Sequence, residues 1–302
     1  MKKIATWGFA VYGIICLPSQ SNAAFDTILN ISTADQVAPI LIESNTQLNL
    51  SGDGSLPHQF EAGSPDGTST NIEVNISGGA VGSLFNAYDG TVVNMSGGSI
   101  GNNFSVWDGG VLHLNSGEIG DAFAARSGST ITITSGTIGD SFNILPEVFL
   151  SITDGEIGDG FTVFEDGVVE ISGGTFGHRL QALKGSRLRI SGGEFAPAFL
   201  AFPQSHVELF GSKFFINDQP IDGLSRGVPL TISDRDVFLS GILADGSKFE
   251  FALIDRLFEN NPVYSDYFDV EANLTIHLIP EPRTGLLFIF GILHAVAYGC
   301  HG

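Results

Sequence analysis

Three consecutive segments of this chain share one length and one pattern: VVNMSGGSIGNNFSVWDGG (residues 92–110), VLHLNSGEIGDAFAARSGS (111–129) and TITITSGTIGDSFNILPEV (130–148). Each contains the motif Gly-x-[Val/Ile/Phe]-Gly, whose first glycine recurs every 19 residues without an insertion. That glycine is found at Gly79, Gly98, Gly117, Gly136, Gly155 and Gly174, and Gly193 follows at the same spacing with Ala196 in place of the second glycine. An internal period of about 20 residues indicates a solenoid, in which each repeat forms one coil and buries its apolar face against its neighbours.

Within each repeat, apolar and polar residues alternate, which predicts a β-strand with one face inward. In the second segment the inward positions are Leu112 and Leu114 on a first strand, Ile119 on a second, and Phe123 and Ala125 on a third. Five inward side chains per coil would fill a narrow three-sided core. Because equivalent residues stack on successive coils, the period predicts an internal aromatic column formed by Phe85, Phe104, Phe123, Phe142 and Phe161.

The corners between strands fall at Ser-Gly-Gly and Asp-Gly sequences, where glycine supplies the positive φ that a sharp bend needs. We therefore predict an all-β fold: a single-stranded right-handed parallel β-helix with 19-residue coils and a β-rich C-terminal cap. The alternative is a left-handed helix of hexapeptides. It is disfavoured because 19 residues do not divide into six-residue units and because the corners are unevenly spaced.

The sequence divides into five parts. Residues 1–23 form a predicted signal peptide, 25–78 an N-terminal cap and first coils, and 79–212 the β-helix of 19-residue repeats. Residues 213–279 form the predicted C-terminal β cap, and 280–302 a sorting tail with an apolar segment.

The predicted signal peptide has the three features of a secretory leader. Lys2 and Lys3 make its start positive, an apolar run follows, and Ser21-Asn22-Ala23 supplies small residues for cleavage after Ala23 or Ala24. The sequence therefore predicts export. Of the two cysteines, Cys16 lies in this leader and Cys300 lies at the far end of the chain, beyond a second apolar run. The body between them has no thiol for a disulfide, a zinc cluster or a nucleophile.

The formal net charge of −20 makes the surface strongly acidic. Such a surface repels phosphate backbones, so the sequence argues against nucleic acid as a partner. It is compatible with solubility and with binding of divalent cations.

Near the end of the chain, Ile279-Pro280-Glu281-Pro282 precedes an apolar stretch from Gly285 to Tyr298. This arrangement resembles the C-terminal sorting signal of bacterial PEP-CTERM proteins. The resemblance implies that Pro280, Glu281 and Pro282 are recognised by an exosortase-like membrane protease. It also implies transient membrane anchoring through the tail, then release to the cell surface or extracellular matrix. The tail departs from the family pattern in lacking a final arginine cluster. The alternative is a simple C-terminal strand with an apolar end.

One column of the repeat carries candidate metal ligands. Asp121, Asp140 and Asp159 occupy the same phase on three consecutive coils, and carboxylates about 4.8 Å apart repel each other, so a calcium ion would relieve the repulsion. In the alternative, the side chains splay apart and salt screens them. No other cofactor is predicted.

No catalytic residues are predicted. The histidines share no metal-ligand spacing, and Glu170, Arg189 and Glu208 share a column that indicates cross-strand ion pairs rather than a catalytic arginine. The sequence thus predicts an exported structural or adhesive β-solenoid without catalytic activity. The alternative is a protein that binds or degrades extracellular polysaccharide. A groove with exposed aromatic residues and two converging carboxylates would favour that alternative.

Overall fold

The computed structural model describes residues 24–256 and 265–280, and these residues form strands and turns but no helix. The strands, in chain order, are β1 (Thr27–Ile31), β2 (Leu41–Ile42), β3 (Thr46–Leu50), β4 (Ser55–Leu56), β5 (Glu61–Ala62), β6 (Ile72–Val81), β7 (Asn86–Ala87), β8 (Thr91–Ile100), β9 (Ser105–Val106), β10 (Val111–Ile119), β11 (Ala124–Ala125), β12 (Thr130–Ile133), β13 (Thr137–Ile138), β14 (Asn143–Ile144), β15 (Phe149–Ile152), β16 (Glu156–Ile157), β17 (Thr162–Val163), β18 (Val168–Phe176), β19 (Gln181–Ala182), β20 (Arg187–Phe195), β21 (Leu200–Ala201), β22 (His206–Ile216), β23 (Gln219–Pro220), β24 (Leu230–Ile232), β25 (Val237–Leu243), β26 (Lys248–Leu253), β27 (Tyr267–Phe268) and β28 (Asn273–Leu278).

The strands stack in parallel into a β-solenoid. One sheet has 18 strands and the other has 10, and the 10-stranded sheet takes one short strand from each coil. From Val74 to Val207, each inward residue pairs with the residue 19 positions further along the chain. The predicted all-β parallel solenoid with 19-residue coils is therefore confirmed.

The core has the predicted composition. Leu112, Leu114, Ile119, Phe123 and Ala125 are all at most 2% exposed. The phenylalanine column is also confirmed, with ring centroids 4.6 Å apart between Phe123 and Phe142 and 5.0 Å apart between Phe104 and Phe123.

The phenylalanine column is interrupted at Leu180, which stands 19 residues after Phe161. From this coil on, the stacked rings continue in the neighbouring inward column. Phe176 replaces the smaller isoleucine of the neighbouring inward column, and its ring lies 5.9 Å from that of Phe161. Phe195 continues the stack at 5.0 Å from Phe176. A large residue in one column thus compensates for a smaller one in the other, which keeps the core filled.

Glycine is required at the corner after the first strand of each coil. Gly98 has a φ of 74°, and a Cβ at this position would lie 2.7 Å from the carbonyl oxygen of Gly79 on the preceding coil. Both the backbone conformation and the close approach of two coils exclude a side chain. The recurring glycine of the motif follows from this geometry.

The first coil of the stack begins with β1, because Leu29 pairs with Leu48, 19 positions later. The next offset is 26 residues, between Leu48 and Val74, and the extra residues form a loop between β5 and β6. Gln36 covers part of the outer edge of β1: its side-chain nitrogen donates to the carbonyl of Asn30, and its oxygen accepts the amide N–H of Thr33. Such side-chain bonds protect an edge strand from unwanted pairing.

At the other end, the chain leaves the solenoid after β22 and forms the antiparallel hairpin β25–β26. It then returns, so that β27 pairs in parallel with β21 and β28 with β22. Residues 267–278, which the sequence places with the cap, thus form the last coil of the solenoid. Strand β24 runs antiparallel to β28 and covers its edge.

Asp266 holds the hairpin against the penultimate coil. Its Oδ1 accepts the amide N–H groups of Ala198 and Phe199 at 3.0 and 2.8 Å, and its Oδ2 accepts that of Ala252 at 2.9 Å. Burial raises the pKa of Asp266, and the three amide bonds act in the opposite direction. This carboxylate joins three chain segments that are distant in sequence.

Arg235 fastens the cap to the last coil in a similar way. Its guanidinium donates to the carbonyl oxygens of Phe268, Asp269 and Ala272 at distances from 2.7 to 3.2 Å. Burial lowers the pKa of Arg235, and nearby carboxylates offset part of that effect. Carbonyl groups at the end of the stack are thereby satisfied.

Candidate functional site

The aspartate column lies along one edge of the solenoid, and its three side chains are exposed. Asp121 Oδ1 accepts the backbone N–H of Asp140 at 2.9 Å, and Asp140 Oδ1 accepts that of Asp159 at 2.8 Å. Asp159 Oδ1 accepts the N–H of His178 at 2.7 Å, and Asn102 plays the same role toward Asp121 at 3.0 Å. Each side chain therefore binds the backbone of the next coil.

The residue before each aspartate is a glycine for a related reason. A Cβ at Gly158 would lie 2.6 Å from Asp140 Oδ1, and a Cβ at Gly177 would lie 2.5 Å from Asp159 Oδ1. The carboxylate of one coil lies over the glycine of the next coil. The repeated Gly-Asp and Gly-Asn pairs were the sequence signal for this hydrogen-bonded ladder, which the sequence analysis did not recognise.

The structure brings Asp121, Asp140 and Asp159 together as predicted from their phase, but in a line rather than around a centre. One oxygen of each carboxylate is used by a backbone amide, whereas calcium takes about six to eight oxygen ligands. Among residues 24–256 and 265–280 there is no group of three or more His, Cys, Asp or Glu side chains arranged to hold a metal ion. Calcium binding at this column stays a prediction.

Replacing Asp140 by alanine should lower the free energy of unfolding by about 1 kcal/mol, because the amide of Asp159 loses its acceptor. Asp140→Asn is the matched control: it keeps an oxygen at the same place, as Asn102 shows. Urea denaturation of the two variants measures the difference. Equal losses for alanine and asparagine would contradict a role based on hydrogen bonding.

Beside the aspartate column, a shallow groove of about 410 Å³ runs along the solenoid, with Gly139, Gly158 and Gly177 among the residues that line it. Its other wall is formed by Thr137, Glu156 and Thr175, the middle of a column in which glutamate and threonine alternate from Glu118 to Glu194. Glu156 lines one side of this groove, and the carboxylates of Asp140 and Asp159 lie next to Gly158 and Gly177 on the other side. We call it the acidic groove. It attracts cations and repels anionic polymers.

A different face of the same coils is free of charge. We define the neutral face by the outward residues of the first strand in four successive coils, which stack in two columns. These residues are Val92, Val111, Thr130 and Phe149 in one column and Asn94, His113, Thr132 and Ser151 in the other. Glu73 and Glu170 border the face on the adjoining coils. Phe149 is 42% exposed.

The corner beside the 10-stranded sheet carries a half-buried aromatic stack. The rings of Tyr88 and Trp107 lie 5.7 Å apart and nearly parallel, and the guanidinium of Arg126 lies 4.7 Å from the centre of the Trp107 ring. Trp107 also donates its N–H to Asn86 at 2.9 Å. Both faces of Trp107 are therefore covered by neighbours, so this stack holds the corner together and does not offer a flat aromatic surface to a sugar.

A cleft of about 210 Å³ lies between the hairpin and the penultimate coil, lined in part by Phe195, Phe238, Glu250 and Asp266. It contains two carboxylates and an exposed aromatic ring, since Phe238 is 54% exposed. The carboxylate of Asp266, however, is bound by three backbone amides. Both oxygens of Asp266 are thus used to hold the fold, and neither is directed at a substrate in the cleft.

The basic residues of the repeat have the predicted partners. Arg189 lies 2.9 Å from Glu170 and 3.5 Å from Glu208. His277 stacks on Phe210 with ring centroids 4.3 Å apart, and its Nε2 lies 3.6 Å from Glu208. The cross-strand ion pairs predicted for Glu170, Arg189 and Glu208 are confirmed.

The predicted signal peptide and most of the sorting tail lie outside the described residues. Pro280 is the last described residue and is exposed, whereas Glu281 and Pro282 fall outside. The described part of the chain has no helix that is long and apolar enough to cross a membrane. Comparison of the chain with protein-family models, curated proteins and solved structures finds no match.

Proposed function

We propose that this protein is exported and acts at the cell surface or in the extracellular matrix as a structural or adhesive β-solenoid without catalytic activity. The observation that carries the proposal is the uninterrupted register: from Val74 to Val207 every coil has the same length. Glycoside hydrolysis uses two carboxylates that flank one glycosidic bond, and these coils have no loop insertion that would bring such a pair together. Regular coils instead present long, even lateral faces.

The outer faces of the coils support a structural role, because their side chains bind each other along the solenoid. Asn49 donates to Asn30 at 2.9 Å, Asn75 to Asn49 at 3.0 Å, and Asn94 to Asn75 at 3.0 Å. Together with the aspartate ladder, these bonds join coil to coil on the outside of the core. A rod braced in this way suits an exposed scaffold, where no disulfide of the body contributes to stability.

The export part of the proposal rests on the two ends of the sequence. We expect the mature protein to begin at Ala24 or Phe25 and to end near Pro282, after signal peptidase and an exosortase-like protease have acted. Mass spectrometry of the intact protein recovered from the cell surface and medium measures both ends. A matched variant, Glu281→Ala, should accumulate with its apolar tail uncleaved.

Material that ends at Gly302 in the wild type would contradict the sorting signal. Material that keeps residues 1–23 would contradict export by this leader. The non-catalytic part has its own test, in which purified protein is incubated with acidic and neutral polysaccharides. New reducing ends or unsaturated products would contradict it and favour a polysaccharide-degrading protein.

A further inference from the structure

We infer that the neutral face binds an uncharged polysaccharide that lies along the solenoid axis. This inference rests on the proposed function, because it assigns the ligand of an exported adhesive protein. The first step is the charge pattern. The chain has a net charge of −20 and no lysine or arginine between Lys3 and Arg126, yet eight outward positions on four successive coils carry no charged side chain.

The surrounding charges restrict the chemistry of the ligand. Glu73 and Glu170 border the neutral face along the axis, and the acidic groove occupies another side of the same coils. An anionic polymer would be repelled from all of these surfaces, and a cationic polymer would be drawn to the acidic groove instead. An uncharged polymer is the partner that the neutral face favours over the rest of the surface.

The polar groups of the neutral face are available to a ligand. The hydroxyl groups of Thr130, Thr132 and Ser151 form no hydrogen bond with any other described residue. In contrast, the hydroxyls of Ser172 and Ser191, one corner away, donate to backbone carbonyls of the preceding coil. Unpaired hydroxyl groups on two successive coils can donate to and accept from the hydroxyl groups of a sugar chain.

The apolar column supplies the other half of a sugar-binding surface. Val92, Val111 and Phe149 lie beside the polar side chains of Asn94, His113 and Ser151 in the second column, and Phe149 exposes 42% of its surface. A sugar ring also has an apolar face and a polar rim. The coils repeat about every 4.8 Å, which is close to the length of one sugar unit in an extended polysaccharide, so successive units can meet successive coils.

A second copy of this chain fits the face less well. Four coils of about 4.8 Å and two columns that are each about 7 Å wide give a face of about 270 Å², whereas a stable protein interface buries about 800 Å² on each partner. Extending the contact would bring Glu73 or Glu170 of one copy against a glutamate of the other. A single polysaccharide chain avoids both problems, because it is narrow enough for this face and carries no carboxylate against Glu73 or Glu170.

The test is a depletion assay with the full mature protein and insoluble neutral polysaccharides: microcrystalline cellulose, β-1,3-glucan and mannan. Soluble alginate and polygalacturonate serve as anionic competitors. At least one neutral polysaccharide should remove the wild-type protein from solution, and the anionic polymers should not compete. Thr132→Glu, which places a carboxylate on the neutral face, should weaken binding about tenfold, because the ligand hydroxyls cannot replace its hydration fully. Phe149→Ala should weaken it also.

The matched control is Asn143→Glu, which adds the same carboxylate to an outward position of the 10-stranded sheet and should leave binding unchanged. Circular dichroism and the melting temperature show that each variant is folded. Equal weakening by both glutamate variants, or no depletion by any of the three neutral polysaccharides, would overturn the inference. So would a dimer in sedimentation that only Thr132→Glu dissociates. If the protein is exported and processed but does not bind, this inference fails and the proposed function stands.

Discussion

Replacing Phe123 by alanine is expected to lower the free energy of unfolding by about 4 kcal/mol. Phe123 is fully buried, and its ring stacks between those of Phe104 and Phe142 at 5.0 and 4.6 Å. The change removes burial of a large apolar side chain and leaves a cavity in a narrow core. In a solenoid each coil is stabilised mainly by its two neighbours, so a cavity in a middle coil weakens two interfaces at once. Urea denaturation followed by circular dichroism measures the loss.

Phe123→Leu is the matched control. Leu180 occupies the corresponding position of its own coil, where Phe176 fills the remaining space. The coil of Phe123 has Ile119 in place of that phenylalanine, so Phe123→Leu leaves a small cavity but keeps most of the buried apolar side chain. We expect the leucine variant to lose well under half of what the alanine variant loses. If alanine costs less than about 1 kcal/mol, the aromatic column does not carry the stability assigned to it here.

The sequence predicts the middle of this protein well because the 19-residue period gives the strand pairing directly, even between residues that are distant in the chain. Once Leu112 and Ile131 are known to be 19 residues apart in equivalent strands, their contact follows from the period alone. The same reasoning places Phe123 over Phe104 and Arg189 beside Glu170. Every coil repeats the same pattern of inward and outward residues, so a position that is ambiguous in one coil can be assigned from the others.

The C-terminal part could not be predicted in this way because its pairings are not periodic. The sequence predicts a β cap over residues 213–279, which includes strand β28 (Asn273–Leu278). Strand β28 instead pairs with β22, so that Val207 faces Leu274 across an excursion of more than 60 residues. The offset between Val207 and Leu274 is not a multiple of the 19-residue period, so the repeat does not predict it. It follows from the free edge of β22, which the returning chain covers.

The candidate site was predicted only in part for a similar reason. Phase alone brought Asp121, Asp140 and Asp159 into one column, but their hydrogen bonds depend on where backbone amides point at a corner. The neutral face was open to prediction, because the outward positions 92, 111, 130 and 149 are uncharged in the sequence. It was missed because charged residues were sought as candidates, and here the informative feature is a local lack of charge.

Replacing Asp266 by alanine is expected to lower the free energy of unfolding by about 3 kcal/mol at neutral pH, because the amides of Ala198, Phe199 and Ala252 lose their acceptor together. Asp266→Asn is the matched control. Its oxygen can still accept two of these bonds, but its NH₂ group would face the third donor, so we expect a loss of about 1 to 2 kcal/mol. Chemical denaturation measures both values. Equal stability of the wild type and the alanine variant would show that Asp266 does not hold the hairpin.

The pH dependence of the free energy of unfolding, compared between the wild type and Asp266→Asn, shows how much the ionisation of Asp266 contributes. Burial raises the pKa of this carboxyl above its ordinary value of 3.8 in the folded protein. Between pH 3.8 and the raised pKa, the folded state therefore keeps a proton that the unfolded chain has already released. The stability that protonation of Asp266 contributes is full below that window and is lost as the pH rises through it. The asparagine variant has no such group, so the advantage of the wild type over Asp266→Asn should shrink as the pH rises through the window. An advantage that grows with pH would mean that the three amide bonds outweigh desolvation and hold the pKa below 3.8.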